Sequence, residues 1–396
     1  MRPKPHILPV IIGSQFACTS LWFAGNAVMD DLVEKTGLGP QIMGYVLSSV
    51  QLGFIVGTLV FSVFTVADRF SPSRVFFCCA LLAATCNALL LLNPLTASLL
   101  LLARFGTGFF LAGIYPVGMK IAADHFERGL GKALGFLVGA LVLGSALPYL
   151  LSGVFLAQPP ARIVLGVSLL AVFGGALLWA MVPNGPFRAP GSGLRWRRGV
   201  QLFKMRPFRK ASFGYFGHMW ELYAFWAFTP LALSHYAQWH NTSLNVPLWT
   251  GIVMLLGALS CAWGGMLSQK YGSGKVAFVA LATSGACCLL SPFFFFAQTP
   301  LFLSIWCFWG MAVTADSPQF SNLVAGSAPP NIKGTGLTLV NGIGFAITIG
   351  SIQLLESLGN HVPVHGMFTI LALGPIIGLW QLGAGPNRKM GQRSRT

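Results

Sequence analysis

Long apolar runs alternate along the chain with short polar connections. About 20 apolar residues cross a bilayer core as a helix. Twelve runs meet that measure, at roughly 7–28, 41–66, 75–93, 97–122, 132–155, 162–183, 211–236, 247–268, 275–297, 300–325, 334–358 and 365–385. Each is predicted to be a membrane-crossing helix, and they are numbered below as segments one to twelve. The first run is long and opens the twelve-run pattern, so it reads as the first helix and not as a cleavable leader. Polar positions inside the runs are few. Two carboxylates lie near the middle of a run, Glu221 in segment seven and Asp316 in segment ten. The chain has nine acidic residues. Asp30, Asp31, Glu34, Asp68, Asp124 and Glu127 lie in or beside connections, and Glu356 lies near the end of segment eleven. An ionisable group at bilayer depth is costly, so Glu221 and Asp316 are the first functional candidates.

Composition agrees with the pattern. Hydrophobic residues make up 55% of the chain and charged residues 9%, with a mean hydropathy of +0.70. The net charge of +16 would suit a nucleic-acid binder, but its placement excludes one. With both termini on the cytoplasmic side, 22 of the 25 Lys and Arg fall on that side. Only Lys35 and Arg162 lie opposite, and Arg104 lies within the membrane. This is the positive-inside bias, and it predicts contact with anionic lipid and no nucleic-acid partner. The eight cysteines sit inside runs without CxxC spacing and read as packing residues. There is no phosphate-cradling Gly-Lys-Ser loop, no clustered Cys/His set and no Ser-His-Asp arrangement. No enzyme, metal or cofactor is expected, and energy for any transport must come from a gradient.

The chain divides in two. The one long connection, 184–210, carries eight Lys or Arg and no acid. It separates an N-terminal half (1–183) from a C-terminal half (211–396, with a short basic tail). Pro116 and Pro318 are 202 apart, Asp68-Arg69 and Gln269-Lys270 are 201 apart, and Gly131 and Gly334 are 203 apart. A near-constant offset predicts six helices repeated in one orientation, two bundles about a pseudo-two-fold axis along the membrane normal.

These residues carry a family resemblance. Thr65-Val-Ala-Asp68-Arg69-Phe-Ser-Pro-Ser-Arg74 resembles the loop signature of the major facilitator superfamily, G-x-L-A-D-R-x-G-R-R/K. Gly265-Met-Leu-Ser-Gln269-Lys270-Tyr-Gly272-Ser-Gly-Lys275 is similar, and Arg104-Phe-Gly-Thr-Gly108 resembles that family's R-x-x-x-G element. Phe64 and Ser71 replace the signature glycines, and Gln269 replaces the second Asp. The resemblance implies an all-α membrane fold of twelve helices in two six-helix bundles, with both termini cytoplasmic. It also implies solute transport by alternating access around a cavity lined by segments one, four, seven and ten. Asp68, Arg69, Gln269 and Lys270 become gating candidates, and Arg104 is linked to proton transfer.

On segment seven, His218 and Glu221 are three apart and share a face. A carboxylate that can neutralise when water or substrate leaves is what proton coupling needs, with His218 as shuttle or orienter; the alternative is a fixed Glu-His pair holding helices together. Asp316 is followed by Pro318, which permits a kink. By the offset, Asp316 matches Ile114 and Arg104 matches Trp306. Shared glycines and prolines therefore read as scaffold, and unshared charges as function. Arg104 could counter a carboxylate, pass protons, bind an anion, or simply bond backbone carbonyls. Lys120 is expected to snorkel to the surface. Gln15, Thr19, Trp22 and Asn26 form one polar stripe on segment one. With Tyr115, Trp220, Tyr223, Trp226 and Asn341 they are the candidate substrate contacts. The expectation is a proton-coupled secondary transporter of a small organic solute, multi-pass in a bacterial-style inner membrane, with a lean towards neutral or cationic solutes. The competing readings are organic-anion uptake on Arg104 and a non-transporting sensor whose output is the basic connection. The arginine motif of the family's nitrate carriers is missing from segments two and eight, and the antiporter element G-P-x-x-G-G is not matched in segment five.

Overall fold

A computed structural model describes residues 5–37, 39, 42–126, 130–155, 158–188, 196–329, 332–359 and 361–383, with backbone only at 130 and 131. Arg2, Lys4, Glu127, Arg128, Arg195 and the basic C-terminal tail lie outside them, as do residues 189–195 of the basic connection.

Among the described residues every regular element is helical. Among the described residues nine helices are long and apolar enough to cross a membrane: Ile42–Val63, Pro72–Leu91, Ala97–His125, Lys132–Val154, Pro160–Met181, Val246–Tyr271, Ser273–Phe294, Lys333–Leu358 and Val364–Gly383. They are segments two to six, eight, nine, eleven and twelve. The other three runs are helical too, but none is a simple apolar rod. The helix of segment one, Ile7–Thr19, stops short; the chain turns through 20–25 and resumes at Asn26–Val28. Segment seven is one helix of 34 residues, Arg206–Trp239, with Pro230 inside it. Segment ten is two helices, Thr299–Ala315 and Ser317–Ser327, which meet at Asp316.

Segment four has the same kind of joint, between Ala97–Leu111 and Tyr115–His125. Pro116 and Pro318 each sit in the first turn after the joint. Proline has no N–H and its ring clashes with the preceding turn, so it ends one helix and is tolerated at the start of the next. The two joints are 202 residues apart, as the internal repeat predicts.

Small residues let the helices approach closely, which is how helices associate where lipid supplies no hydrophobic drive. A Cβ on Gly108 would overlap the Val50 carbonyl, and one on Gly53 would overlap the Phe105 carbonyl, so segments two and four touch backbone to backbone. We expect Gly108→Ala to force them apart at a cost of about 1–3 kcal/mol. This reads as a lower unfolding temperature of the purified protein, while Gly13→Ala, with nothing within 4 Å of its Cβ, leaves it unchanged. Between the halves, segment two packs along segment eleven and segment five along segment eight. The 202-residue offset exchanges these two contacts.

Candidate functional site

A cavity of about 570 Å³ lies between the halves, lined by residues of segments two, four, five, seven, ten and eleven. Its mouth is at the end of the bundle that carries the basic connection. There Asp68, Lys120 and Lys333 line it. Deeper in, its polar groups are Tyr115, Tyr215, His218, Tyr223, Ser317, Asn322, Thr338 and Asn341, set among Phe61, Met119, Met219, Leu222 and Phe345.

The opposite end is shut by aromatic rings from both halves. Trp22 packs on Phe54, Tyr223 and Phe345 with centroids 5.0, 5.7 and 5.6 Å away. Phe54 and Phe345 lie 4.6 Å apart, and Phe23 meets Trp226 edge-on at 6.0 Å. Beyond this layer polar contacts cross between the halves. Gln353 Nε2 donates to Ser48 Oγ at 2.9 Å. Asn245 Nδ2 donates to the Gly153 carbonyl at 2.8 Å. The Glu356 carboxylate sits against Gly44, where a Cβ would lie 2.9 Å from Oε2.

His218 is the only titratable imidazole among the residues lining the cavity. Its Nδ1 is 2.7 Å from Asp316 Oδ1, and its Nε2 is 2.7 Å from Ser317 Oγ. Asp316 is fully buried at the segment-ten joint, and neither of its carboxylate oxygens makes a hydrogen bond among the described residues, so its approach to His218 is a close charge contact. His218 therefore stands between the cavity and a buried carboxylate. The break that lets the chain place Asp316 there follows from Pro318.

Glu221 does not join that pair. It is fully buried and turned into its own half. It accepts from Trp309 Nε1 and Ser284 Oγ, each at 2.8 Å, and from Cys288 Sγ at 3.3 Å. The expected Glu221–His218 pair is replaced by His218–Asp316, because a three-residue step still separates side chains by a sixth of a helical turn. That is enough to aim one at the cavity and the other at segments nine and ten.

Arg104 is fully buried and away from the cavity. Its guanidinium donates to the carbonyls of Leu21 (3.3 Å) and Trp22 (2.5 Å), and to Asn87 Oδ1 at 2.9 Å. It has no acidic partner among the described residues. It holds the turn where the helix of segment one ends. That turn also breaks the expected polar stripe, since Gln15 and Thr19 precede it and Trp22 and Asn26 follow. None of the four lines the cavity. Thr19 Oγ1 donates to the Gln15 carbonyl at 2.8 Å, Gln15 packs on Gly118 and Thr19 on Gly144, and Asn26 is buried. Segment one is thus drawn onto segments four, five and six and away from the cavity.

Of the remaining candidates, Tyr115, Tyr223, Trp226 and Asn341 line the cavity, while Trp220 donates to the Ile370 carbonyl of segment twelve at 3.4 Å. Asp68 pairs with Lys120 at 2.9 Å, inside its own half, and Lys120 also reaches Asp124 at 3.5 Å. Lys120 therefore closes a local ion pair where the sequence suggested snorkelling. Arg69, Gln269 and Lys270 are exposed at the same end, and Lys270 lies over the Tyr271 ring at 5.2 Å. Sequence reasoning missed Asn322, Thr338 and Lys333 in the lining and Asn87 as the partner of Arg104. Asn87 was legible only as a polar residue inside segment three.

Residues 10–352 match the family model of the Major Facilitator Superfamily. The chain belongs to that superfamily. Its members are transporters, and this one is a multi-pass membrane protein of the same kind. The crystal structure of the human organic anion transporter MFSD10 (TETRAN) superposes with a TM-score of 0.74, covering 96% of this chain and 100% of that one at 15% identity. That likeness concerns the fold. Among curated protein sequences nothing matches this superfamily member.

Proposed function

We propose that this protein is a proton-coupled secondary transporter of a small organic solute, working by alternating access in a bacterial-style inner membrane. The observation that carries the reading is the cavity. It lies between the halves, opens at one end, and is sealed at the other by rings from both. The mouth then faces the cytoplasm, since the basic connection marks that side. All twelve segments cross the bilayer, both termini are cytoplasmic, and residues 1–183 and 211–396 form two six-helix bundles joined by 184–210. The exchange of the two inter-half contacts under the 202-residue offset supports the pseudo-two-fold axis, and two such bundles can rock about a central site.

His218 and Asp316 carry the proton, because they are the buried titratable pair that reaches the cavity. The solute is neutral and partly apolar. The deep lining offers phenol, amide and hydroxyl groups against apolar walls, while its single imidazole already faces Asp316 and Ser317. A second reading, an organic anion, is favoured by Lys333, which lines the mouth without an acidic partner among the described residues; MFSD10, of the same fold, is an organic anion transporter. Arg104 is not the anion site, being committed to backbone.

The test combines two measurements. Unfolding temperatures of the purified protein are read against organic anions, cations and neutral solutes at pH 6 and pH 8, since a native-state ligand stabilises by mass action. Compounds that stabilise are then assayed for flux into vesicles under a pH gradient. Flux driven by the gradient supports the reading; binding without flux would make the protein a sensor.

The sealed end predicts a conformational variant. Replacing Gln353 by Ala removes an inter-half hydrogen bond worth about 1 kcal/mol, a shift of roughly fivefold in the balance of states. Spin labels on cysteines at Phe70 and Tyr271, both exposed at the basic end, should then show a larger population at short distance.

A further inference from the structure

The structure assigns an anionic-phospholipid headgroup site to the niche between the basic connection and the start of segment eleven. Residues Trp196–Gln201 form a short helix that continues as Leu202–Lys204. One face of it is fixed to segment eleven. A Cβ on Gly199 would overlap Leu339 and lie 2.7 Å from Thr335, and one on Gly336 would lie 2.9 Å from Leu202. Beside this seam is a cavity of about 230 Å³, lined by Arg198, Gln201, Leu202, Met205, Pro329 and Ile332. It sets one cationic fork and one amide among four apolar side chains. That is the chemistry of a phosphate ester attached to a glycerol and acyl chains. Arg198 has no acidic partner among the described residues, and residues 184–210 contain no acid at all.

Two further features select a lipid over a soluble anion. Trp196 and Val200, one turn apart, are 54% and 51% exposed, and they lie beside the seam. An exposed Trp next to arginines at the end of a membrane bundle is the composition of the membrane–water interface. Arg197 and Lys204 are exposed on the same short helix, adding attraction to an anionic leaflet. The site also touches the transport path. Ile332 lines the niche, and Lys333, Gly334 and Thr335 immediately after it line the mouth of the central cavity. A bound headgroup thus braces the first turn of segment eleven in the conformation open at the basic end.

The test is a thermal-unfolding series on the purified full chain in neutral detergent, with dioleoylphosphatidylglycerol, dioleoylphosphatidylcholine or inorganic phosphate added at matched concentration. Phosphatidylglycerol should raise the unfolding temperature. Phosphatidylcholine and phosphate should not. Arg198→Ala, a surface change, should remove at least half of the rise, and Lys275→Ala, an exposed cation elsewhere on the same end, should keep it. Equal stabilisation by phosphatidylcholine, an equal effect of phosphate alone, or an undiminished rise in Arg198→Ala would each overturn the assignment.

Discussion

Arg104→Ala is expected to destabilise the protein by about 1–3 kcal/mol for each buried acceptor left without its donor. Three groups depend on this guanidinium: the carbonyls of Leu21 and Trp22 and the Asn87 side chain. These carbonyls belong to the turn through 20–25, outside any helix, and no backbone N–H among the described residues donates to them. At bilayer depth no bulk water can replace the lost donors, and each unsatisfied group is costly. Arg104→Lys should recover only part of the loss, because a point ammonium cannot reproduce a planar fork that serves two carbonyls and an amide together. The measurement is the unfolding temperature, with the yield of monodisperse protein as a second reading. Were Arg104→Ala to unfold at the wild-type temperature but lose pH-driven flux, the arginine would belong to the proton path and its carbonyl bonds would be incidental.

This placement of Arg104 shows where sequence reasoning reached and where it stopped. Run length and hydropathy located all nine helices that qualify as spans, because a membrane imposes that length on any apolar helix. The prolines at 116 and 318 marked both joints, since the missing N–H acts locally. At Arg104 the unshared charge bonds two carbonyls and an amide, the structural alternative that the sequence had left open. Its repeat counterpart, Trp306, donates from Nε1 to Thr229 Oγ1 of segment seven at 3.3 Å. Arg104 ties segment four to segment one, and Trp306 ties segment ten to segment seven. The two positions do one structural job with different side chains, which a comparison of residue types cannot see. The polar stripe of segment one failed because it assumed an unbroken helix, and the break is stabilised by a residue more than eighty positions away. The His218–Asp316 contact was out of reach for the same reason. Spacing along one helix says which residues share a face but not what the neighbouring helix brings to it.

The two buried carboxylates should therefore separate on mutation. Asp316→Asn keeps the shape at the segment-ten joint and removes the negative charge that His218 faces. Neither Asp316 carboxylate oxygen has a hydrogen-bond partner among the described residues, so the variant should fold, exchange solute down its gradient, and fail to accumulate solute when a pH gradient is imposed. Glu221→Gln is nearly isosteric but chemically wrong. The carboxylate accepts from Trp309, Ser284 and Cys288 at once, and an amide offers one accepting oxygen and turns donors towards donors. Leaving one or two of these groups unsatisfied costs about 1–3 kcal/mol each. That variant should unfold at lower temperature while the folded fraction still couples flux to pH. Unfolding temperature and flux with and without a pH gradient, measured on both variants, separate the roles. Gradient-driven accumulation intact in Asp316→Asn, or abolished in a Glu221→Gln protein of unchanged stability, would move the proton site from the cavity wall into the interior of the C-terminal half. A proton bound there has no contact with the solute, so coupling would have to pass through the packing of segments seven, nine and ten. In the arrangement observed, His218 touches both the cavity and Asp316, and the coupling proposed above would need no relay beyond that single side chain.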